Sequence, residues 1–397
     1  MATRAIPYAM ASIGFLFSVV LGSASYAQDT QGFKFNNLTV SPFVNLEYTY
    51  DSNVDMDKRE YDDSILTVNP GVDLTYKGND WGLNGNLWYG YDWYKEYDQL
   101  NADRYGESLS FYTESAKGWR LVLGESYLKS SENDSILDGG RGIWRDRQLL
   151  ELTGALSYQL SERTGITLSG LYSDLDYEND QNQYAALYGW REWSAGLEVS
   201  RKITEKSNIL LSGSHQEYES NGTSGIGSSS SGYTLMGGFS SRATERISYR
   251  ALTGVSWFDY YADGDQLTGW TYSLDANWLI NKKWAATVAG SSYFQPSETE
   301  MNQAMQVYAL SGGVTYRPMR KLTTRFDLAY RREENEYSYS AQSAETDDIV
   351  SARVRADYQL MRYVSVYGSV EYTDRMSDNS DYEYDRIRGT MGLSFRY

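Results

Sequence analysis

Hydrophobic and polar residues alternate along this chain with a period of two, from Leu38 to Tyr397. In Leu38–Tyr50, Val40, Pro42, Val44, Leu46, Tyr48 and Tyr50 share one face, and Glu47 falls on the other. A strand sends successive side chains to opposite faces, so each such run predicts a strand with one apolar and one wet side. The same reading gives Ser64–Tyr76, Trp81–Tyr94, Arg104–Ser115, Trp119–Lys129, Leu149–Leu160, Thr164–Leu175, Trp190–Ile203 and Asn208–Tyr218. It continues through Gly232–Thr244, Ile247–Tyr261, Thr268–Ile280, Trp284–Phe294, Met305–Arg317, Leu322–Arg332, Ile349–Leu360 and Tyr363–Thr373. The last strand runs from Tyr382 and ends Ile387–Tyr397, with Phe395 and Tyr397 on its apolar face.

The connections alternate in length. Short ones such as Lys77–Asp80, Ser161–Arg163, Thr204–Lys206 and Asn281–Lys283 are followed by long ones such as Asp51–Asp63, Ser130–Gln148, Glu219–Ser231 and Glu333–Asp348. Short periplasmic turns and long outer loops are the outer-membrane pattern. The fold class predicted is all-β: a transmembrane antiparallel β-barrel of about 18 strands. A soluble sandwich or propeller is the alternative, but nothing is left over to cover so many apolar faces.

Composition sharpens this picture. There are 37 Tyr and 35 Gly, which suit aromatic girdles and close strand contacts, and no Cys, which removes disulfides and thiol chemistry. The net charge of −17 disfavours nucleic acid as a partner. Arg4, the apolar run Ile13–Leu21 and Ser25-Tyr26-Ala27 read as a signal peptide over 1–27. Residues 28–37 are then a short periplasmic lead, and 38–397 a single barrel domain in the cell outer membrane. The short turns are basic (Lys77, Lys117, Arg163, Lys206, Lys282, Lys283, Arg320, Lys321, Arg362), and the long loops are acidic. Acidic tips are either simply solvated or meet divalent cations at the lipopolysaccharide surface.

Tyr50-Asp51-Ser52-Asn53-Val54 and Val68-Asn69-Pro70-Gly71-Val72 resemble the outer-membrane β-barrel porins found with exopolysaccharide and capsule export systems. The resemblance is sharpest over Leu38–Trp93. It implies a polar conduit across the outer membrane for polysaccharide. The partners expected are outer-membrane lipid and lipopolysaccharide, the barrel assembly machinery reading Phe395 and Tyr397, and periplasmic polysaccharide-export components. Rival readings are a general diffusion porin and a closed structural or adhesive barrel.

If apolar residues face lipid, the intervening ones line the lumen. These include Arg325, Asp327, Arg353, Arg355, Asp357, Arg386, Arg388 and Arg396 on the last strands. Two compatible readings follow: a ladder of Arg–acid pairs bracing neighbouring strands, or a basic wall that attracts anions. In Ser130–Gln148, the apolar Ile136, Leu137, Ile143 and Trp144 flank Asp138, Gly139, Gly140, Arg141 and Gly142. That loop either folds into the lumen as a constriction, or packs against neighbouring loops or forms a strand extension. Asp51, Asn53, Asp55, Asp57 and Asp62 have calcium-loop spacing, but Met56 stands where glycine is needed, so a solvated loop is the better reading. The single histidine, His215, adjoins Ser214 but should face the opposite side of its strand, with no evident acid on its own face. Neither catalysis nor a cofactor is expected.

Overall fold

The computed structural model describes residues 32–115, 118–133, 144–177, 189–220, 229–260, 266–296, 302–337 and 346–397. A short strand β1 (Phe33–Phe35) precedes β2 (Leu38–Asp51), β3 (Asp63–Lys77), β4 (Trp81–Tyr94), β5 (Ala102–Glu114) and β6 (Trp119–Asn133). Then come β7 (Trp144–Ser161), β8 (Thr164–Tyr177), β9 (Trp190–Lys202), β10 (Ser207–Ser220), β11 (Ser230–Ser241) and β12 (Ile247–Tyr260). The barrel is completed by β13 (Gln266–Trp278), β14 (Trp284–Pro296), β15 (Asn302–Met319), β16 (Leu322–Tyr337), β17 (Thr346–Met361), β18 (Val364–Ser377) and β19 (Tyr384–Arg396). Strands β2 to β19 pair antiparallel in sequence order, and β19 closes on β2 from Arg388↔Asp51 to Arg396↔Phe43. Closure removes the sheet edges that hydrocarbon could not hydrogen-bond.

The lead is not featureless. β1 folds back on β2 through a turn at Asn36, whose φ of 53° is left-handed, and Phe33 packs on Tyr397 at 4.6 Å. The expected strands otherwise stand, several of them longer than the alternation indicated. β6 and β7 extend into the third long loop, pairing as far as Asn133↔Trp144. Asp138–Gly142 lie outside the described residues.

Outward faces are apolar, with aromatic pairs at the short-turn end. Tyr76–Trp81, Trp119–Tyr158, Trp284–Tyr316 and Tyr363–Tyr397 all stack there, with centroids 4.1–5.1 Å apart. Rings with a wet edge and an apolar body settle at such an interface. Tyr397 is held further by its own N–H, which donates to the Pro42 carbonyl at 3.0 Å.

Inward burial varies along the strands and between them. Toward the short turns Asn84, Asn277, Thr287 and Arg325 are exposed. Toward the long loops the inward residues are packed. Asp51, Ser173, Tyr218, Phe258, Val307 and Glu333 are fully buried, and Leu175, Tyr177, Trp190 and Tyr218 form an apolar cluster. Burial is not confined to that end: among the described residues, Ser41, Phe43 and Asn45 are buried near the turn end of β2. Arg250 of β12 reaches Glu198 of β9, above a second inward cluster of Leu210, Met236 and Leu252.

Candidate functional site

The eight charged residues singled out on the last strands all alternate onto the inward face, and each pairs with an opposite charge. Arg325 holds Asp327 two residues along its strand, and Arg355 holds Asp357 at 2.8 Å in the same way. Arg353 of β17 reaches Glu371 of β18 at 3.7 Å, and Arg396 of β19 reaches Asp73 of β3. Arg386 and Arg388 share Asp51, which is fully buried. Arg331–Glu333 and Arg375–Asp347 extend the set toward the loops. Arg325 and Arg355 lie directly opposite in register, so their own aspartates separate what would be facing like charges.

The two short motifs prove to be devices of closure. After β2, the Ser52 N–H donates to the Ile387 carbonyl at 3.0 Å, and the Ile387 N–H returns to Ser52 Oγ at 2.8 Å. Asn53 Nδ2 donates to the carbonyls of Asp385 and Asp57, at 3.1 and 2.7 Å. With Asp51 on Arg386 and Arg388, this stretch fastens the first barrel strand to the last. The loop is therefore not simply solvated: Asn53, Val54 and Asp57 are buried. Asp57 is taken up by Arg59, whose guanidinium it holds above its ordinary pKa by hydrogen bond and charge.

In the second motif, the β3–β4 ladder breaks between Val68↔Tyr91 and Gly71↔Trp88, where continuous register would set Pro70, which has no N–H, against Tyr89. Asn69 Nδ2 donates to the Tyr89 carbonyl in its place, at 3.0 Å. Asn69 Oδ1 accepts from Asn45 Nδ2 at 3.2 Å, and Asn45 Oδ1 from Ser394 Oγ at 2.7 Å. All three residues are buried, so the amide chain braces β3, β2 and β19 away from water. Gly71 leaves room for the Phe43 ring, which a Cβ there would strike.

Phe43 belongs to an arrangement the sequence reading missed. Gly106, Trp88, Gly71, Phe43 and Arg396 follow one line of register partners across β5, β4, β3, β2 and β19. Trp88 lies over Gly106, where a Cβ would come within 2.9 Å of the indole, and Phe43 lies over Gly71. The Arg396 guanidinium stands 4.8 Å from the Phe43 centroid. Trp88, half-buried, and Phe43, buried, thus pack along the inward wall beside an ion pair. The signal available was parity: Phe43 and Trp88 fall on the wet side of their strands.

Parity also places Glu107 and Glu125 on the outward face, level with Leu87 and Leu109. Glu107 lines an outward notch of about 430 Å³ with Pro70, Leu87, Tyr89, Tyr105 and Tyr127. His215 is outward too, stacked on Tyr233 at 4.4 Å and edge-on to Trp193 at 5.2 Å. It does have an acid on its face: Nε2 lies 3.4 Å from Glu217 Oε1. Ser214 faces the other way, as expected, so no serine–histidine pair forms at that site.

Residues 207–397, from the start of β10 to the end of the chain, match the family model described as "Putative beta-barrel porin 2". That stretch, a little under half of the chain, supports an outer-membrane β-barrel porin family. The matched part of the chain is not the part whose motifs suggested the resemblance. No curated protein matches the chain by sequence. Among solved structures, the chain is similar to the outer membrane protein OpdK from Pseudomonas aeruginosa, at 11% identity and a TM-score of 0.47 over 90% of this chain and 99% of that one. The apoprotein of the FrpB iron transporter from Neisseria meningitidis is 10% identical with a TM-score of 0.49, over 87% of this chain and 62% of that one. The ferric enterobactin receptor PfeA from Pseudomonas aeruginosa is 6% identical with a TM-score of 0.47, over 90% and 80%. The protein is an outer-membrane porin-like barrel.

Proposed function

We propose that this barrel conducts carbohydrate across the outer membrane, taking polymer at its short-turn end and serving polysaccharide export. The observation that carries the reading is the inward line from Gly106 through Trp88, Gly71 and Phe43 to Arg396. A sugar ring presents an apolar face and an equatorial rim of hydroxyls. The half-buried Trp88 indole suits the face, with the buried Phe43 backing the wall beside it, and Arg396–Asp73 offers donors and acceptors to the rim. Because each wall arginine holds an acid, a neutral or weakly charged polymer meets hydrogen-bonding groups without a strong field. Export components would dock at the basic short turns, and lipopolysaccharide with its cations would meet the acidic loops.

Planar-bilayer recording with maltoheptaose on the turn side tests this. The expected result is an ohmic pore whose current is interrupted by the sugar, with interruptions at least tenfold rarer in Trp88→Ala, about 1.4 kcal/mol of lost binding. A barrel without conductance, or one whose interruptions ignore Trp88, refutes the proposal. Liposome swelling at equal rates for sugars and amino acids of one size would favour general diffusion instead.

A further inference from the structure

The ladder between β13 and β14 is incomplete. The two are registered only from Trp278↔Ala286 to Tyr272↔Ser292, although both strands continue, to Gln266 and Pro296. Each stays paired with its other neighbour: β12 as far as Asp259↔Gln266, β15 as far as Pro296↔Ala304. The opening is therefore one seam, not a frayed end of the sheet. A rise of ~3.3 Å per residue at a tilt of ~40° gives ~2.5 Å per residue along the barrel axis. From the girdle residue Trp278 to Tyr272 is then ~15 Å of an apolar band ~25 Å tall, so the seam opens within the outer leaflet.

Backbone groups parted in hydrocarbon cost several kcal/mol each unless something else meets them. Side chains do so here. The Trp270 carbonyl accepts from Ser292 Oγ and from Gln306 Nε2, both at 3.3 Å, and Thr271 Oγ1 donates to the Ser292 carbonyl at 2.5 Å. Phe294 fills the gap, stacked on Phe258 with centroids 6.0 Å apart and packed with Leu267. A Cβ at Gly269, an inward position of β13, would come within 2.6 Å of the Phe294 ring. The tip of β14 thus tucks behind β13, and the two strands overlap where they should abut. Trp270 stands on the lipid side, 73% exposed. The seam is closed by side chains that can move aside, at the height of the buried inward residues Phe258 and Val307.

We propose that the β13–β14 seam is a lateral port for an amphipathic solute, whose polar part occupies the lumen while its apolar part passes between Trp270 and Phe294 into the outer leaflet. The polar half of this assignment rests on the conduit reading above; the apolar half does not. The chain has no cysteine, so Thr271→Cys with Ser292→Cys introduces a unique pair that a short bismaleimide can bridge. In proteoliposomes, 11-(dansylamino)undecanoic acid reports entry by its rise in emission. We expect bridging to slow that rise at least tenfold and to leave axial conductance in planar bilayers within twofold. Phe294→Ala, which removes the plug without touching the latch, should quicken entry severalfold. Equal entry in bridged and unbridged protein, no quickening in Phe294→Ala, or no emission above that of empty vesicles overturns the port. Probe entry into a barrel that carries no current supports the port and refutes the conduit.

Discussion

Asn69 and Pro70 lend themselves to a double-mutant cycle, because the first is argued to supply what the second lacks. Asn69 is 4% exposed, so no water can replace its amide. Asn69→Ala strips the Tyr89 carbonyl of its donor, costing about 1–3 kcal/mol for a buried unsatisfied acceptor, and removes the acceptor of Asn45 Nδ2 for roughly 1 more. Pro70→Ala alone should lie within about 1 kcal/mol of the parent, since the carbonyl opposite is already satisfied. In the double variant the backbone N–H gained by replacing Pro70 faces Tyr89 and can rebuild the ladder bond. About 1–2 kcal/mol of the Asn69→Ala loss should therefore return, as a coupling of that size. Urea titration of tryptophan emission in phospholipid vesicles measures each corner of the cycle. Asn69→Asp, which keeps the shape and loses the donor, serves as a control and should resemble Asn69→Ala. A double variant equal to the sum of the singles within ~0.5 kcal/mol would falsify the surrogate-donor argument.

Three further outcomes are expected. Asp51→Asn leaves Arg386 and Arg388 facing each other without their shared carboxylate, and should destabilise the β19–β2 closure by about 3–5 kcal/mol; adding Arg388→Gln should restore part of it, and heat-modifiability on gels reads both. Deleting Phe395–Tyr397 removes the stacks on Phe33 and Tyr363 and the bond to Pro42, and should leave exported but uninserted protein; a heat-modifiable barrel after the deletion counts against a role in assembly. Because two arginines share one acid at Asp51, any anion preference of the pore should shift toward cations in Arg388→Ala, while Arg355→Ala, which frees Asp357 alone, should shift it further; reversal potentials in a salt gradient that ignore both variants would end the idea.

The barrel was legible because lipid enforces the pattern: one side of every strand must be apolar across the membrane, and the other side is free to be wet. That constraint acts residue by residue, so parity alone places Arg353 or Asp357 on the inward face. It also places Phe43, Trp88, Glu107 and Glu125, once the inward aromatics and outward acids are taken as seriously as the arginines. Partners were legible only when local. Arg325–Asp327 and Arg355–Asp357 sit two residues apart on one face, whereas Arg353–Glu371 and Arg396–Asp73 depend on registers that no single strand encodes. The motif ending in Val54 looked like a solvated loop with calcium-like spacing because its real partners, Asp385, Arg386, Ile387 and Arg388, lie more than 300 residues away.

The β13–β14 seam was illegible for a different reason. Thr268, Trp270 and Tyr272 keep the outward parity of a paired strand whether or not the strand is paired, because lipid contact sets that parity and the ladder does not. What distinguishes the seam is how its parted backbone is met, and Pro70 supplies the comparison. There, one donor is missing, and a single amide, buried and held on both sides by Asn45 and Tyr89, replaces it without movement. At Trp270 the missing ladder is answered by a hydroxyl and an amide from two different strands, around a phenyl ring that fills space and makes no polar bond. Opening the first site would strand a carbonyl in a dry wall. Opening the second exchanges side-chain contacts for contacts with whatever enters, provided that it brings apolar surface for Phe294 and Phe258 and leaves Ser292 and Gln306 on the Trp270 carbonyl. The same physical requirement, that no backbone group be left unpaired in lipid, therefore makes one irregularity a fixed brace and the other a joint that an amphiphile could part.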